Sequence, residues 1–360
     1  MKKFFLFSAC IAFSFALLSC GGPKKPTITV KMITEASGIN DRSYNAAAWD
    51  GILSFYGDER GEEEGFGELY DVTPCREMSF AVSLLQQTAN ESPDLVIVVS
   101  YALENALRTV SPMYPNQKFL SIDSSFMESP NVLNFLFASE EGSFMVGCAA
   151  ALQSIAENVQ NPKFGFIGGV SSDIITDFEA GFIQGVRSII TDAEIYEYYA
   201  GDWAKPELAA AVAKKWYGEE GVYAIYSAAG ATGNGTIAQA VAQRKMGKNV
   251  WAIGVDRDQY DEGYYGVGKS AVLTSMIKRV DTAVKYGLMQ VQNNTFRPGT
   301  VVLGLKDSGV GYTTTNADLD SDVQKQLTGI MASIVTGYIT VSGLRNDPER
   351  VHSICKTVKK

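Results

Sequence analysis

Short runs of β-branched and aromatic residues alternate with longer stretches of helical period along most of this chain. Thr27 to Ile33 (TITVKMI), Asp94 to Val99 (DLVIVV) and Phe119 to Ile122 (FLSI) read as strands, the last ending at Asp123. Ser43 to Tyr56 and Phe80 to Asn90 fit helices, Asp58 to Glu68 reads as a solvated loop rich in Gly and Glu, and Glu140 to Val159 predicts a long helix rich in Ala. The pattern then restarts. Strands are expected at Lys163 to Ile167, Glu194 to Tyr199, Val222 to Tyr226 and Val250 to Val255, the last ending at Asp256. Helices are expected at Asp177 to Ile190, Glu207 to Tyr217 and from Thr236 onward. Continuous apolar strands alternating with amphipathic helices predict parallel sheets covered on both faces. Two successive sets predict an α/β protein of two Rossmann-like, doubly wound lobes.

The first twenty residues follow another rule. Lys2 and Lys3 precede an apolar run from Phe4 to Leu18, too short to span a bilayer and suited to a signal peptide. The run ends in Leu17-Leu18-Ser19-Cys20-Gly21-Gly22, which resembles a bacterial lipobox. Residues 1–19 are therefore expected to be a lipoprotein signal peptide, Cys20 the lipidated (palmitate-type) N-terminus and residues 20–26 a flexible tether. Cys75, Cys148 and Cys355 remain, without zinc or redox spacing. Cys148 sits in an apolar helical run and reads as a small core residue.

Length and composition narrow the chemistry. The 360 residues suffice for two domains. With 31 basic against 40 acidic residues the formal charge is −9, which argues against nucleic-acid binding. Removing Lys2 and Lys3 with the signal leaves 29 basic against 40 acidic residues, a formal −11. The single histidine, His352, excludes a multi-histidine metal site, and no cofactor is expected.

In doubly wound sheets ligands bind beyond the C-terminal strand ends. That rule selects Thr34-Glu35, Ser100-Tyr101, Asp123, Gly168-Gly169, Ala229-Gly230 and Asp256. Asp123 and Asp256 read equally as hydrogen-bond acceptors for a ligand or as turn and cap residues. Tyr44, Trp49 and Trp203 stand near strand-to-helix junctions, where an aromatic face can stack on a planar ligand for roughly 1–3 kcal/mol. Trp49 lies one turn into a helix and reads as core; Trp203 lies in a polar loop. Lys278, after a strand-like run, would ordinarily be a solvated surface residue. Gly263 to Ser270 (GYYGVGKS) matches the phosphate-loop pattern letter for letter, but a polar stretch precedes it and a strand-like run follows. It is read as a surface loop. Gly230 to Gly235 has the right context, following a strand and opening a helix, without the dinucleotide-binding order.

Several segments together resemble a known family. Gly38-Ile39-Asn40-Asp41-Arg42-Ser43-Tyr44-Asn45, continuing to Trp49-Asp50-Gly51, is similar to the opening motif of the basic membrane protein family, the substrate-binding lipoproteins of ABC transporters. Further matches are KFLSID ending at Asp123, EGSF from Glu141, GFIGG from Gly165, FEAGF from Phe178, GVDRDQY from Gly254 and VLTSMIKR from Val272. Within the family the pattern resembles the treponemal purine nucleoside receptors of the membrane lipoprotein C type. The resemblance implies a type I periplasmic binding fold, two lobes joined by a hinge, with residues 27–128 plus 258–300 in one and 129–257 plus 301–360 in the other. It implies that Tyr44 and Trp203 sandwich a base, Asp123 bonds the base edge, Asp256 and Lys278 hold the ribose hydroxyls, Gly230 touches the base, and Glu35 and Asn45 complete the site. Trp203 and Glu35 depart from the smaller Phe and Asp of the receptors, which leaves riboflavin, bound by other treponemal members, as the alternative to a purine nucleoside. The implied partners are an inner-membrane ABC permease and the cell membrane, through a lipid anchor facing the periplasm. A nucleoside hydrolase would need more aspartates than Asp41 and Asp50 near the first strand, and a chemosensory or antigenic lipoprotein would do without a permease.

Overall fold

The computed structural model describes residues 26–59, 68–124 and 129–359. The expected signal peptide, Cys20 and the tether up to residue 25 lie outside them, as does most of the Gly- and Glu-rich loop. The chain begins with β1 (Val30–Thr34), α1 (Tyr44–Tyr56), β2 (Tyr70–Pro74), α2 (Ala81–Asn90), β3 (Leu95–Val99), α3 (Glu104–Val110), β4 (Phe119–Ile122) and β5 (Val132–Phe137). It continues with α4 (Ser139–Ala156), β6 (Lys163–Gly168), α5 (Asp173–Ile189), β7 (Glu194–Tyr199), α6 (Pro206–Lys215), β8 (Val222–Ala228), α7 (Asn234–Lys245) and β9 (Trp251–Asp256). A small hairpin, β10 (Tyr264–Gly266) and β11 (Lys269–Ser270), precedes β12 (Val272–Lys278), α8 (Val280–Gln292), β13 (Gly299–Leu303), β14 (Val310–Tyr312), α9 (Ser321–Val335) and α10 (Pro348–Cys355).

The strands form two six-stranded sheets, one per lobe. The first has the order β13-β5-β4-β3-β1-β2 and the second β14-β12-β9-β8-β6-β7. All neighbours are parallel except β12 and β14. The central strands are buried along their length, as in Leu95–Val99, because helices cover both faces of the sheet. Trp49, the aromatic read as core, is buried and meets Tyr70 of β2 edge-on, with ring centroids 5.4 Å apart. Cys148 is likewise buried, and burial pushes its thiol up to about 12. The phosphate-loop look-alike forms a turn and the β10–β11 hairpin, and leads into a strand rather than a helix.

The lobe boundaries correct the expectation. The chain crosses between lobes after β5, after β12 and after β13, so the cuts fall near residues 138, 279 and 304 rather than at 128/129, 257/258 and 300/301. Val132–Phe137 is buried on every residue and completes its backbone hydrogen bonds only between β4 and β13, within the first sheet. By the same argument Val272–Lys278 belongs beside β9 in the second. At the crossings the Ala138 N–H donates to Leu303 at 2.9 Å and the Arg279 N–H to Gly309 at 2.8 Å. The Arg345 guanidinium donates to the Phe137 carbonyl at 3.2 Å and to Glu140, whose carboxyl burial raises to about 7. These bonds tie together the segments about which the lobes would turn.

Candidate functional site

The C-terminal ends of both sheets face one cleft between the lobes, the place where ligands bind in such folds. Glu35, Tyr44, Asp123, Trp203, Gly230, Asp256 and Lys278 all line it. Of the expected ligand contacts only Asn45 does not. Its side-chain amide is buried under the site and donates to Glu35 at 2.7 Å, Ser37 at 3.0 Å and the Gly38 carbonyl at 3.1 Å. Asn45 thus holds Glu35 in place, while its Oδ1 is buried and has no hydrogen-bond partner among the described residues.

Tyr44 is fixed by the start of α1. Asp41 accepts from the backbone N–H groups of Ser43 at 3.0 Å, Asn45 at 2.8 Å and Ala46 at 2.9 Å, satisfying donors that a helix start otherwise leaves unpaired. Burial raises Asp41 to about 6, against those three bonds. The Tyr44 hydroxyl is buried beside Asp123. Burial, then the Asp123 charge, pushes its pKa well above the usual tyrosine value.

Trp203 comes from the second lobe. Its loop is pinned by Thr232: the hydroxyl accepts from Lys205 N–H at 2.9 Å and donates to the Asp202 carbonyl at 2.8 Å, and the Thr232 N–H donates to the Trp203 carbonyl at 3.0 Å. The indole lies on Gly169, where a Cβ would stand 2.2 Å from the ring; any side chain there would lift it. Gly230, with φ +55, sits in the adjoining turn.

Two carboxylates and one ammonium form the polar floor. Asp123 follows β4 and Asp256 ends β9, at matching places in the two sheets, with φ of +63 and +67. Aspartate tolerates this left-handed conformation better than most residues. Lys278, the last residue of β12, is 2% exposed, unlike the solvated lysine such a position ordinarily holds. Its ammonium hydrogen-bonds Asp123 of the opposite lobe. It also lies 5.2 Å from the Tyr44 ring centroid, 5.1 Å from Phe137 and 5.3 Å from Phe178. Asp256 instead accepts from the Ser43 hydroxyl, across the cleft. Burial raises its pKa, and the nearby Lys278 charge and the Ser43 bond oppose that rise. The implied Asp256–Lys278 couple is thus an electrostatic one, and the direct ion pair is Asp123–Lys278.

Other residues bridge the lobes. Asn234 donates to the Asp41 carbonyl at 3.1 Å and Gln259 to the Arg42 carbonyl at 3.1 Å. Tyr101 meets Trp203 edge-on, with centroids 6.3 Å apart. The strand-end rule had selected Tyr101, Asn234 lies in the glycine-rich turn from Gly230 to Gly235, and Gln259 lies in the GVDRDQY run, but no sequence signal paired them across the cleft. Among the described residues no cluster of His, Cys, Asp and Glu could hold a metal ion.

A two-lobed cleft of this kind can enclose a small polar ligand, and comparison with known proteins gives it a class. Residues 28–345 match the family described as ABC transporter substrate-binding protein PnrA-like. The chain belongs to the basic membrane protein family. Among its relatives, the CD4+ T-cell-stimulating antigen of Listeria monocytogenes is 35% identical over 321 residues, 87% of each chain. The ABC transporter nucleoside-binding protein BmpA of Lactococcus lactis is 31% identical, covering 89% of this chain and 90% of its own. The fold is that of ABC solute-binding proteins: a solute-binding protein from Aeropyrum pernix superposes with a TM-score of 0.79 at 23% identity, over 92% of this chain and 97% of its own. This member of the basic membrane protein family is a substrate-binding protein, not an enzyme. No helix among its described residues is long and apolar enough to cross a membrane.

Proposed function

We propose that this protein captures a purine nucleoside between its lobes and delivers it to an inner-membrane ABC permease. It would be held at the cell membrane through acylated Cys20 and face the periplasm. The observation that carries this reading is that Tyr44 and Trp203, from opposite lobes, line one cleft together with Asp123, Asp256 and Lys278. A heterocycle between two aromatic faces gains stacking, while a ribose offers hydroxyls that both donate and accept. Asp256 accepts from them, Lys278 donates to them, and the Tyr44 hydroxyl supplies a further donor. The nucleoside-binding name of the Lactococcus relative supports the same class.

Charge argues for the unphosphorylated form. Glu35, Asp41, Asp123 and Asp256 line the cleft against the single cation Lys278. A phosphate would enter a region of like charge, which repels it. Riboflavin is the second reading: the wide face of Trp203 and the longer reach of Glu35 would suit a larger neutral ring. Calorimetry with inosine, guanosine and riboflavin, alongside an absorption spectrum of the purified protein, separates the two. Inosine or guanosine binding by a colourless protein is expected; a flavin spectrum would overturn the nucleoside reading.

A further inference from the structure

We infer that Tyr101 sets the size limit of the ligand ring, admitting a two-ring base and excluding a three-ring one. The inference rests on the reading that a planar ring lies against Trp203. Tyr101 lies in the turn after β3, in the first lobe, and lines the cleft. Its ring stands at 73° to Trp203 of the second lobe. A ring set edge-on to the stacking wall offers a ligand no parallel face of its own. It acts as a stop at the margin of the wall.

The backbone keeps this stop from retreating. Ser100 is buried with φ +130, a strained conformation for a non-glycine residue. It is held there by its hydroxyl, which accepts from the Ala102 N–H at 3.1 Å, and by its carbonyl, which accepts from the Leu103 N–H at 3.1 Å. On the far side, Tyr101 interacts with the side chains of Ser172, at the start of α5, and of Trp203. Strain at a residue that directs a cleft side chain is where functional constraint is expected. Tyr101 therefore bounds the cleft from one lobe while touching the wall of the other.

The test uses the full-length protein in detergent, titrated with inosine and with riboflavin. Wild type and Tyr101→Phe, which keeps the ring, should bind inosine and discriminate against riboflavin to a similar degree. Tyr101→Ala should gain riboflavin affinity by about tenfold or more while inosine affinity changes far less. Retained inosine binding also shows that the variant is folded. Equal affinities in wild type and Tyr101→Ala, or a parallel loss of both ligands, would overturn the inference while leaving the nucleoside reading intact. Wild-type protein that binds no nucleoside, or binds riboflavin tightly, would sink both.

Discussion

Asp123 and Asp256 occupy the same place in two sheets built on the same plan, with nearly the same backbone conformation, yet their surroundings differ. Asp123 receives the full charge of Lys278 from the other lobe. Asp256 receives a neutral hydroxyl, that of Ser43, and burial raises its pKa. Each lobe thus satisfies the other's aspartate, but unequally. A buried carboxylate without a direct countercharge is the one that gains most from ligand hydroxyl donors. On the proposed reading Asp256 would gain most from ligand hydroxyls, while Asp123 also anchors the lysine beside it.

The largest effect should come from removing the charge both aspartates share. Lys278→Met keeps the stem packed among Tyr44, Phe137 and Phe178 but leaves two buried carboxylates without a cation. Losing one partner of a buried pair costs about 3–5 kcal/mol. Because this pair spans the cleft, the cost should fall on closure and appear in calorimetry as a nucleoside affinity lower by about a hundredfold or more. A loss under tenfold would mean that Lys278 is not the pivot of the site. Asp256→Ala comes next, with an expected affinity loss of about 2 kcal/mol or more, a charged hydrogen bond plus its orphaned partner. Unchanged affinity would remove Asp256 from the ligand contacts.

The difference between these aspartates was not legible in the sequence; their positions were. Runs such as DLVIVV and FLSI announce buried parallel strands, and strand ends in such sheets point to the ligand, so Glu35, Asp123, Gly230 and Asp256 follow from pattern alone. The lobe boundaries did not, because Val132–Phe137 gave no signal to distinguish a sixth strand of the first sheet from the start of the second lobe. That choice is made by hydrogen bonding to β4 and β13, a contact over more than 160 residues. The burial of Lys278 was not legible for a related reason, and the resemblance alone placed it in the site. Sequence supplies its prior as a surface residue, whereas the aromatic rings and Asp123 that bury it come from four distant segments. Asn45 shows the reverse: the motif marks it, but only the fold shows that its amide nitrogen is turned toward Glu35.

Asp41 provides a pH test beneath the same site. Its carboxyl is raised to about 6 by burial, so the folded state holds the proton more tightly than the unfolded chain. Stability from this group is therefore greatest at low pH and is lost as pH rises from about 4 through about 6. Glu140 acts in the same direction at higher pH. Asp41→Asn, which keeps an acceptor for the helix start, should flatten the Asp41 contribution. Thermal melts should show the gap between wild type and variant shift in the variant's favour by about 1–3 kcal/mol between pH 4 and pH 7. A gap independent of pH would place the Asp41 titration elsewhere.

Ser43→Ala is the mildest change and bears most directly on the inequality of the aspartates. It removes one hydrogen bond to Asp256 and nothing from Asp123, so the affinity cost should be about 1 kcal/mol. Its second consequence concerns pH. The Ser43 bond favours the ionised carboxylate and holds the pKa of Asp256 down against burial. Without it that pKa rises further, and because accepting from ligand hydroxyls requires the charged form, nucleoside binding should fade at a higher pH as the solution is acidified. Calorimetry of wild type and variant across the acid range reads both effects. If the variant loses affinity equally at every pH, Ser43 acts on lobe closure alone and the raised pKa of Asp256 has no part in binding.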